Sequence, residues 1–378
     1  MVVLRRNWGM KMNRMFFLFL IVFIVIALQG CVNNSVKSEE KVVDNTEKVT
    51  PLSEITIKQN LLKEYGDSNA VLLKVKKQIK ESEGATSFYP ASLVVATDSS
   101  IYISDNRGHS IYEIKPENLF SQKISKMRER KQLSYPNTIQ ILFDEIVISD
   151  DDGIKFFGRD GSLNRLLRTY YTNFHFTLDP QGNIYANPIF LDSKDTNPLI
   201  VKFDKQGKLT GKIGERFNRQ NHNGVEDQAY LCYADGLLFA AFKHLPIVRI
   251  YDSNDGKLLR ELTIAHPIFE ELRKLGEDEN FVRSKAGAVT LPKFIAGAKI
   301  IRNKFYILLD LPFPEIIEFN LEGQELERHR AEELSSATNY FGFDVRQTGN
   351  AHFFTVGFSD QQNPVFVELI SKTAVQKK

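Results

Sequence analysis

The sequence predicts an all-β fold built from one repeated unit of four strands. A short strand at residues 100–104, "SIYIS", has five counterparts along the chain: "EIVIS" at Glu145, "NIYAN" at Asn183, "GLLFAAF" at Gly236, "KFYILL" at Lys304 and "AHFFTV" at Ala351. Their spacing of roughly 40 to 70 residues brackets the period of about 40 to 50 residues that four-stranded propeller blades have. Six copies therefore predict a six-bladed β-propeller.

The segments around each copy follow one order. An apolar strand and a tight polar turn come before it, as in "ASLVVATDSS" and "AYLCYADG". A third strand, a second turn and a fourth strand follow it in most copies, as in "VKFDKQGKLT" and "IEFNLEGQEL". Glycine at the tips of these turns supplies the positive φ angles that short hairpins need.

The last copy lacks a fourth strand of its own. Its third strand, "VFVELI", is followed only by a short tail, whereas the segment "AVLLKV" at residues 70–75 lies upstream of the first complete copy. A circular array has exposed edges unless it closes, so we expect residues 70–75 to complete the last blade.

These segments resemble the repeats of six-bladed NHL-type β-propellers and of related bacterial propeller lipoproteins. "SFYPASLVVATDSSIYISDNRGHSIYEI" has that repeat's Phe, Pro, apolar strand, turn and closing strands, and "SYPNTIQILFDEIVISDDDGIKFF" matches it more loosely. The resemblance extends over about residues 70–371, and it implies the same fold.

The amino terminus has the features of an export signal. Four basic residues precede an apolar run over residues 15–28, which at about 14 residues is short for a membrane span of about 20. The following "LQGC" resembles the lipobox of bacterial lipoproteins, which predicts a signal peptide at 1–30 and lipidation of Cys31. An uncleaved signal anchor, or a cleaved signal with an incidental cysteine, is the alternative.

The rest of the chain divides into two predicted parts. Residues 31–54 are polar, carry both signs of charge and form a flexible tether, and residues 55–378 form the propeller. The predicted location is the bacterial cell envelope, with the protein attached to the membrane by its lipid. Because Val32 offers no Asp retention signal, the lipoprotein resemblance favours the outer membrane where the host has one.

Charge and cysteine content exclude some functions. Residues 1–30 contain four basic and no acidic residues, so their removal changes the formal charge from +2 to −2 (2 − 4). A near-neutral mature protein is not expected to bind nucleic acid. Once Cys31 is lipidated, Cys232 is the one remaining thiol, and its strand-like surroundings predict a buried, inert side chain.

Acidic residues recur on one predicted face of the propeller, where the loops between second and third strands and the connections between blades are long. The candidate ligand-binding residues there are Asp105, Asp150, Asp151, Asp152, Asp310 and Asp360. Together they would bind a cation, calcium being the candidate ion, or a basic ligand. The alternative is that these side chains bond the backbone of their own loops.

The sequence favours a binding or scaffold module over an enzyme. The seven histidines do not share a position in the repeat, and no GxSxG, HExxH or P-loop motif occurs in the propeller. The expected partners are the membrane and an unidentified protein or small-molecule ligand. A divalent-metal-dependent hydrolase or lyase with its site in the central funnel is the alternative. A helix with Ile268, Phe269, Leu272 and Leu275 on one side is predicted within residues 266–285.

Overall fold

The computed structural model describes residues 71–80, 89–115, 121–123, 132–169, 175–188, 198–217, 224–277, 291–311, 314–331, 337–348, 350–359 and 364–371. The predicted signal peptide, Cys31, the tether and Asp360 lie outside these residues. The described part of the chain forms six four-stranded antiparallel blades in a ring, which confirms the predicted six-bladed β-propeller. Within this part, no helix has the length and apolar character needed to cross a membrane.

The first three blades follow one another along the chain, each from its innermost to its outermost strand. Blade one contains β2 (Pro90–Val95), β3 (Ile101–Asp105), β4 (Ser110–Ile114) and β5 (Ser121–Lys123). Blade two contains β6 (Ile139–Leu142), β7 (Glu145–Asp150), β8 (Gly153–Gly158) and β9 (Leu163–Leu167). Blade three contains β10 (His175–Leu178), β11 (Ile184–Asn187), β12 (Ile200–Phe203) and β13 (Leu209–Ile213).

The other three blades continue this order, with one helix between blades four and five. Blade four contains β14 (Ala229–Ala234), β15 (Leu237–Phe242), β16 (Ile247–Asp252) and β17 (Leu258–Thr263), and α1 (Pro267–Glu277) follows it. Blade five contains β18 (Ile295–Ile301), β19 (Lys304–Leu309), β20 (Glu315–Asn320) and β21 (Glu325–Ala331). Blade six contains β22 (Ala337–Thr348), β23 (Asn350–Ser359) and β24 (Pro364–Ser371), together with β1 (Val71–Lys80) from the other end of the propeller.

Strand β1 closes the ring. It pairs antiparallel with β24, from Leu73 opposite Ser371 to Lys80 opposite Val365, and so supplies the fourth strand that blade six lacks. Its first three residues also pair in parallel with β21 of blade five. The predicted closure is confirmed, and the strand is longer than the expected residues 70–75 because it spans the outer edges of two blades.

Apolar side chains on both faces of each blade form the core. Six clusters of buried side chains are present, and each lies between two neighbouring blades. Between blades two and three, for example, Phe156 packs with Phe176 and Ile184. Because both faces are buried, the middle strands are apolar at consecutive positions instead of alternating, as in β19, where five of the six residues are buried.

Turn glycines set how closely neighbouring blades approach. Gly323, between β20 and β21, has a φ of 84°, and a Cβ atom there would lie 2.6 Å from Leu262 Cδ1 of blade four. Gly207, in the equivalent turn of blade three, has the same φ and a Cβ position 3.0 Å from Leu167 Cδ2 of blade two. Glycine is therefore needed both for the turn and for contact between blades.

Helix α1 and Cys232 both belong to the core between blades four and five. Ile268, Phe269 and Leu272 of α1 are buried there, which confirms the predicted helix. Cys232 is buried in the same cluster, and burial raises the pKa of its thiol to about 12. An inert thiol is the result, as the sequence predicts.

Deletion of β1 tests the closure. We expect the full chain without residues 71–80 to melt about 10 °C or more below the parent protein, because the outer strands β21 and β24 lose their partner. Circular dichroism during heating measures this shift. Deletion of residues 32–54 is the control and is expected to leave the melting temperature unchanged. Equal melting of both deletions and the parent would contradict the closure.

Candidate functional site

The hairpin turns and the longer connections lie on opposite faces of the propeller. In blades two to five, the turns from first to second strand and from third to fourth strand lie on one face. The loops from second to third strand and the connections between blades lie on the other, which we call the long-loop face. The second strands end on this face, and the innermost strands begin on it.

A small cavity, which we call the channel, lies where the innermost strands of the six blades meet. Residues from the innermost strand region of all six blades line it: Ser92, Leu93, Thr138, Gln140, His175, Phe176, Tyr230, Leu231, Gly297, Ala298, Lys299, Phe341, Gly342 and Phe343. The cavity volume is about 40 Å³. That is room for a few water molecules, whereas pockets for whole small-molecule ligands usually measure about 300–1,000 Å³.

Asp105, at the end of β3, holds backbone groups on the long-loop face. Its Oδ1 accepts hydrogen bonds from the N–H groups of Tyr89, at 3.0 Å, and Gly108, at 2.8 Å. The side chain is buried, with 1% of the residue exposed. These are the bonds to local backbone that the alternative interpretation of the acidic residues expects.

The three consecutive aspartates of blade two have three different surroundings. Asp150 is buried and accepts hydrogen bonds from the N–H groups of Ser134 and Asp152, while the buried Lys155 ammonium bridges Asp150 at 2.5 Å and Asp152 at 2.7 Å. Burial raises the pKa of Asp150, although Lys155 opposes that shift, whereas the Lys155 contact lowers the pKa of the exposed Asp152.

Asp151 differs from its two neighbours. Its Oδ1 is buried and has no hydrogen-bond partner in the described part of the chain. Burial, and then the charges of Asp150 and Asp152, raise the pKa of this carboxyl.

Asp310, just after β19, joins blade five to blade six. Its Oδ1 lies 3.4 Å from Lys293 Nζ and accepts a hydrogen bond from the N–H of Tyr340, in β22, at 3.4 Å. Lys293 also donates to the Tyr340 carbonyl, and its Nζ lies 4.7 Å from the centroid of the Phe341 ring. Asp310 is thus a buried partner of a lysine, and its role as a ligand-binding residue stays a prediction.

The candidate acidic residues do not form a metal-binding cluster in the described part of the chain. Asp105, Asp150 and Asp310 lie at equivalent places in different blades, and each bonds backbone next to it. Among the described residues, one group of three His, Cys, Asp or Glu side chains is close enough to share a metal ion. It lies on the outer strands of blade five.

The position that Asp105, Asp150 and Asp310 share is occupied differently in blades three and four. Asn187 of blade three accepts a hydrogen bond from the N–H of Ala229, in the first strand of blade four, at 2.8 Å. In blade four the residue is Lys243, whose main-chain carbonyl accepts the N–H of Phe294, next to the first strand of blade five, at 2.7 Å. Because the main chain makes this joint, the Lys243 side chain is not needed for it.

Lys243, just after β15 on the long-loop face, has aromatic and basic neighbours, and one of them, Tyr230, lines the cavity. Its Nζ is 5.2 Å from the centroid of the Tyr230 ring, within the range of a cation–π contact. Among the described residues, no carboxylate lies within ion-pair distance of this ammonium group. Burial, and then the nearby charge of Lys293, lower the pKa of Lys243 to about 7.

His175 completes the group that we call the Lys243 site, which consists of Lys243, Tyr230, His175 and Lys293. His175 Nδ1 lies 2.9 Å from Thr138 Oγ1, and its ring is 4.7 Å from that of Tyr230. Burial, and then the Lys243 charge, lower the pKa of His175 well below its ordinary value, so its ring is neutral at neutral pH. Burial and the Asp310 charge raise the pKa of Tyr230, which keeps its hydroxyl protonated.

This arrangement suits an anionic group. A lysine with a pKa near 7 is partly charged at neutral pH, and hydroxyl and imidazole groups beside it donate or accept hydrogen bonds. The sequence analysis missed Lys243 and Lys293 because it looked for residues that recur in the repeat. A departure from the repeat was the available signal: the residue after "LLFAAF" is basic, whereas four other blades have Asp or Asn at that position.

The comparisons with known proteins identify a fold and no family. No protein-family model matches the chain, and no curated protein matches it. A protein from Bacteroides fragilis described as exported is 11% identical, and the match covers 82% of this chain and 98% of that one with a TM-score of 0.51. At this identity the likeness supports the fold alone.

Other structures match less closely. Virginiamycin B lyase from Staphylococcus aureus is 10% identical over 79% of this chain and 89% of its own, with a TM-score of 0.48. A protein of unknown function from Bacteroides caccae is 11% identical over 66% of this chain and 83% of its own, with a TM-score of 0.43. The strand order of the chain itself shows the six-bladed β-propeller, and its activity has to be argued from its own residues.

Replacement of Asp150 tests its structural role. We expect Asp150→Ala to lower the free energy of unfolding by about 3–5 kcal/mol, because the buried Lys155 ammonium loses its buried partner. Asp152→Ala, at the exposed partner, should cost less than about 1 kcal/mol. Urea unfolding followed by circular dichroism gives both values. Asp150→Asn combined with Lys155→Met should regain most of the loss, and similar costs for the two single Ala variants would contradict this role.

Proposed function

We propose that this chain is an NHL-like propeller lipoprotein of the bacterial cell envelope that binds a ligand through an anionic group at the Lys243 site. The propeller acts as a binding module, and the ligand is a small molecule or a protein that presents a carboxylate or a phosphate. The lipid on Cys31 attaches the module to the membrane, in the outer membrane where the host has one.

One observation carries the binding proposal, namely the position of Lys243. Lysines that are shielded from solvent are normally paired with a carboxylate, as Lys293 is with Asp310. Lys243 contacts Tyr230, which lines the cavity together with His175, and has no carboxylate partner among the described residues. An incoming anion would supply the missing charge in a place shielded from solvent, where such a contact is strong.

The size of the channel limits what enters it. A cavity of about 40 Å³ has room for one small polar group of a ligand and is too small for a whole ligand molecule. The remainder of the ligand would therefore lie on the long-loop face. The Arg107 guanidinium, over the Tyr89 ring at 4.4 Å, and the exposed Tyr135 of that face offer further contacts.

The alternative of a metal-dependent hydrolase or lyase gains less support. Such a site needs several carboxylate, imidazole or amide groups that converge on one ion in the funnel. Asp105, Asp150 and Asp310 of the long-loop face are instead occupied by backbone N–H groups and lysines. We therefore favour binding of an anionic ligand by the Lys243 ammonium group over metal catalysis.

Anion titration tests the Lys243 site. Acetate, succinate and inorganic phosphate are titrated into the full chain by calorimetry, with acetamide as the uncharged match for acetate. We expect an anion to bind with one site per chain, and Lys243→Met to weaken it about tenfold or more through loss of a charge-assisted hydrogen bond. The affinity should fall as the pH rises through about 7, because the free lysine then loses its proton.

Lys257→Met is the matched control, since Lys257 is exposed in a turn on the opposite face. It should bind as the parent does, and the Lys243→Met variant should lose the pH dependence. Binding of acetamide as tight as that of acetate, or an unchanged affinity in Lys243→Met, would contradict the proposal.

Replacement of Cys31 tests the anchor separately. Cys31→Ala should abolish incorporation of labelled palmitate and release the protein from the membrane fraction or stall its processing, because the thiol is the acceptor of the lipid. Cys232→Ala is the control and should remain membrane-bound. Unchanged membrane association and size of Cys31→Ala would refute lipidation at this residue.

A further inference from the structure

Three side chains that can bind a metal converge on the outer part of blade five, away from the Lys243 site. Glu318 of β20 lies directly opposite Glu327 of β21 in the strand register. His329 follows Glu327 by two residues on the same strand, so both side chains point to the same face of the sheet. The hairpin thus brings two carboxylates and one imidazole together.

The distances within this group match those between ligands of one ion. His329 Nε2 lies 3.5 Å from Glu327 Oε2 and 3.7 Å from Glu318 Oε2. Both distances are too long for a hydrogen bond, which spans about 2.7–3.2 Å. In a tetrahedral zinc site with bonds of about 2.0–2.1 Å, neighbouring ligand atoms are about 3.4 Å apart.

The imidazole lacks the partners that a buried ring needs. The His329 side chain is 3% exposed, and neither ring nitrogen has a hydrogen-bond partner among the described residues. Its ring packs against Phe353 at 5.2 Å, an apolar contact that satisfies neither nitrogen. Because a buried, unpaired polar group costs free energy, a ligand in front of Nε2 would stabilise the fold.

The neighbouring groups favour coordination. Lys304 binds Glu318 Oε1, which orients the carboxylate so that Oε2 is the atom nearer to His329. Glu327 is the exposed member, with a side chain 47% accessible, and so provides a path by which an ion enters and a position for a water ligand.

We propose that Glu318, Glu327 and His329 bind a divalent transition-metal ion, zinc by preference, through Oε2, Oε2 and Nε2, with water as the fourth ligand. One nitrogen and two oxygen donors suit zinc better than calcium, which takes six to eight oxygen ligands. The ion would tie β20 to β21 beside the point where Val71 of β1 pairs with His329. Its role is to stabilise the blade that receives the closing strand.

Metal titration of the full chain, stripped by a chelator, tests this site. We expect one Zn²⁺ per chain by calorimetry, a higher melting temperature with Zn²⁺ than without, and the visible absorption of tetrahedral Co²⁺ when cobalt replaces zinc. Glu327→Gln should weaken zinc binding about tenfold or more. This variant keeps the size of an exposed side chain, so its fold should persist.

Glu322→Gln is the control, since Glu322 is exposed in the turn of the same hairpin. It should bind zinc as the parent does. His329→Ala should abolish binding, with its circular dichroism spectrum compared with that of the parent. Absence of stoichiometric binding by the parent, or equal affinity in the parent and Glu327→Gln, would overturn the proposal.

Discussion

The backbone hydrogen bonds of β1 are the interaction on which the rest of this propeller depends. A ring of blades has two free edges until one strand joins its ends, and free edges expose unpaired N–H and C=O groups. Strand β1 pairs with β24 of the last blade and also with β21 of the blade before it. The channel therefore keeps its shape only while both ends of the propeller remain joined.

A second constraint acts at each joint between blades. The chain must enter every first strand from the long-loop face, and its backbone N–H groups there need acceptors once they are buried. Asn187 and Asp310 supply a side-chain oxygen to the first strand of the next blade, and Lys243 supplies its main-chain carbonyl, while Asp105 holds Tyr89 at the entry to its own blade. This requirement explains why acidic residues recur at the ends of the second strands without any need for a shared ligand.

The sequence predicts the fold because its signals are local and repeated. Strand patterns, glycine turns and the incomplete last copy lead to the six blades and to β1, and the spacing of Ile268, Phe269 and Leu272 leads to α1. The parallel pairing of β1 with β21 escapes such analysis, because the register of Val71 with His329 depends on strands far apart in the chain. The Lys243 site escapes it too, since the pKa of Lys243 depends on burial and on the charge of Lys293, which another element brings close.

Lys155, which is buried, and Lys243, which is half-buried, show the difference between a structural charge and the proposed functional charge. Lys155 is buried between Asp150 and Asp152, so its ammonium is neutralised within blade two, and the fold itself accounts for it. The charge of Lys243, by contrast, has a cation–π contact with Tyr230 and no carboxylate partner among the described residues, and the joint between blades uses only its main chain. A half-buried lysine with a lowered pKa costs stability whenever it is protonated, and that cost decreases as the pH rises above about 7. Packing does not require a charged side chain at this position. A loss of stability of this kind is therefore more typical of a binding site than of a structural position.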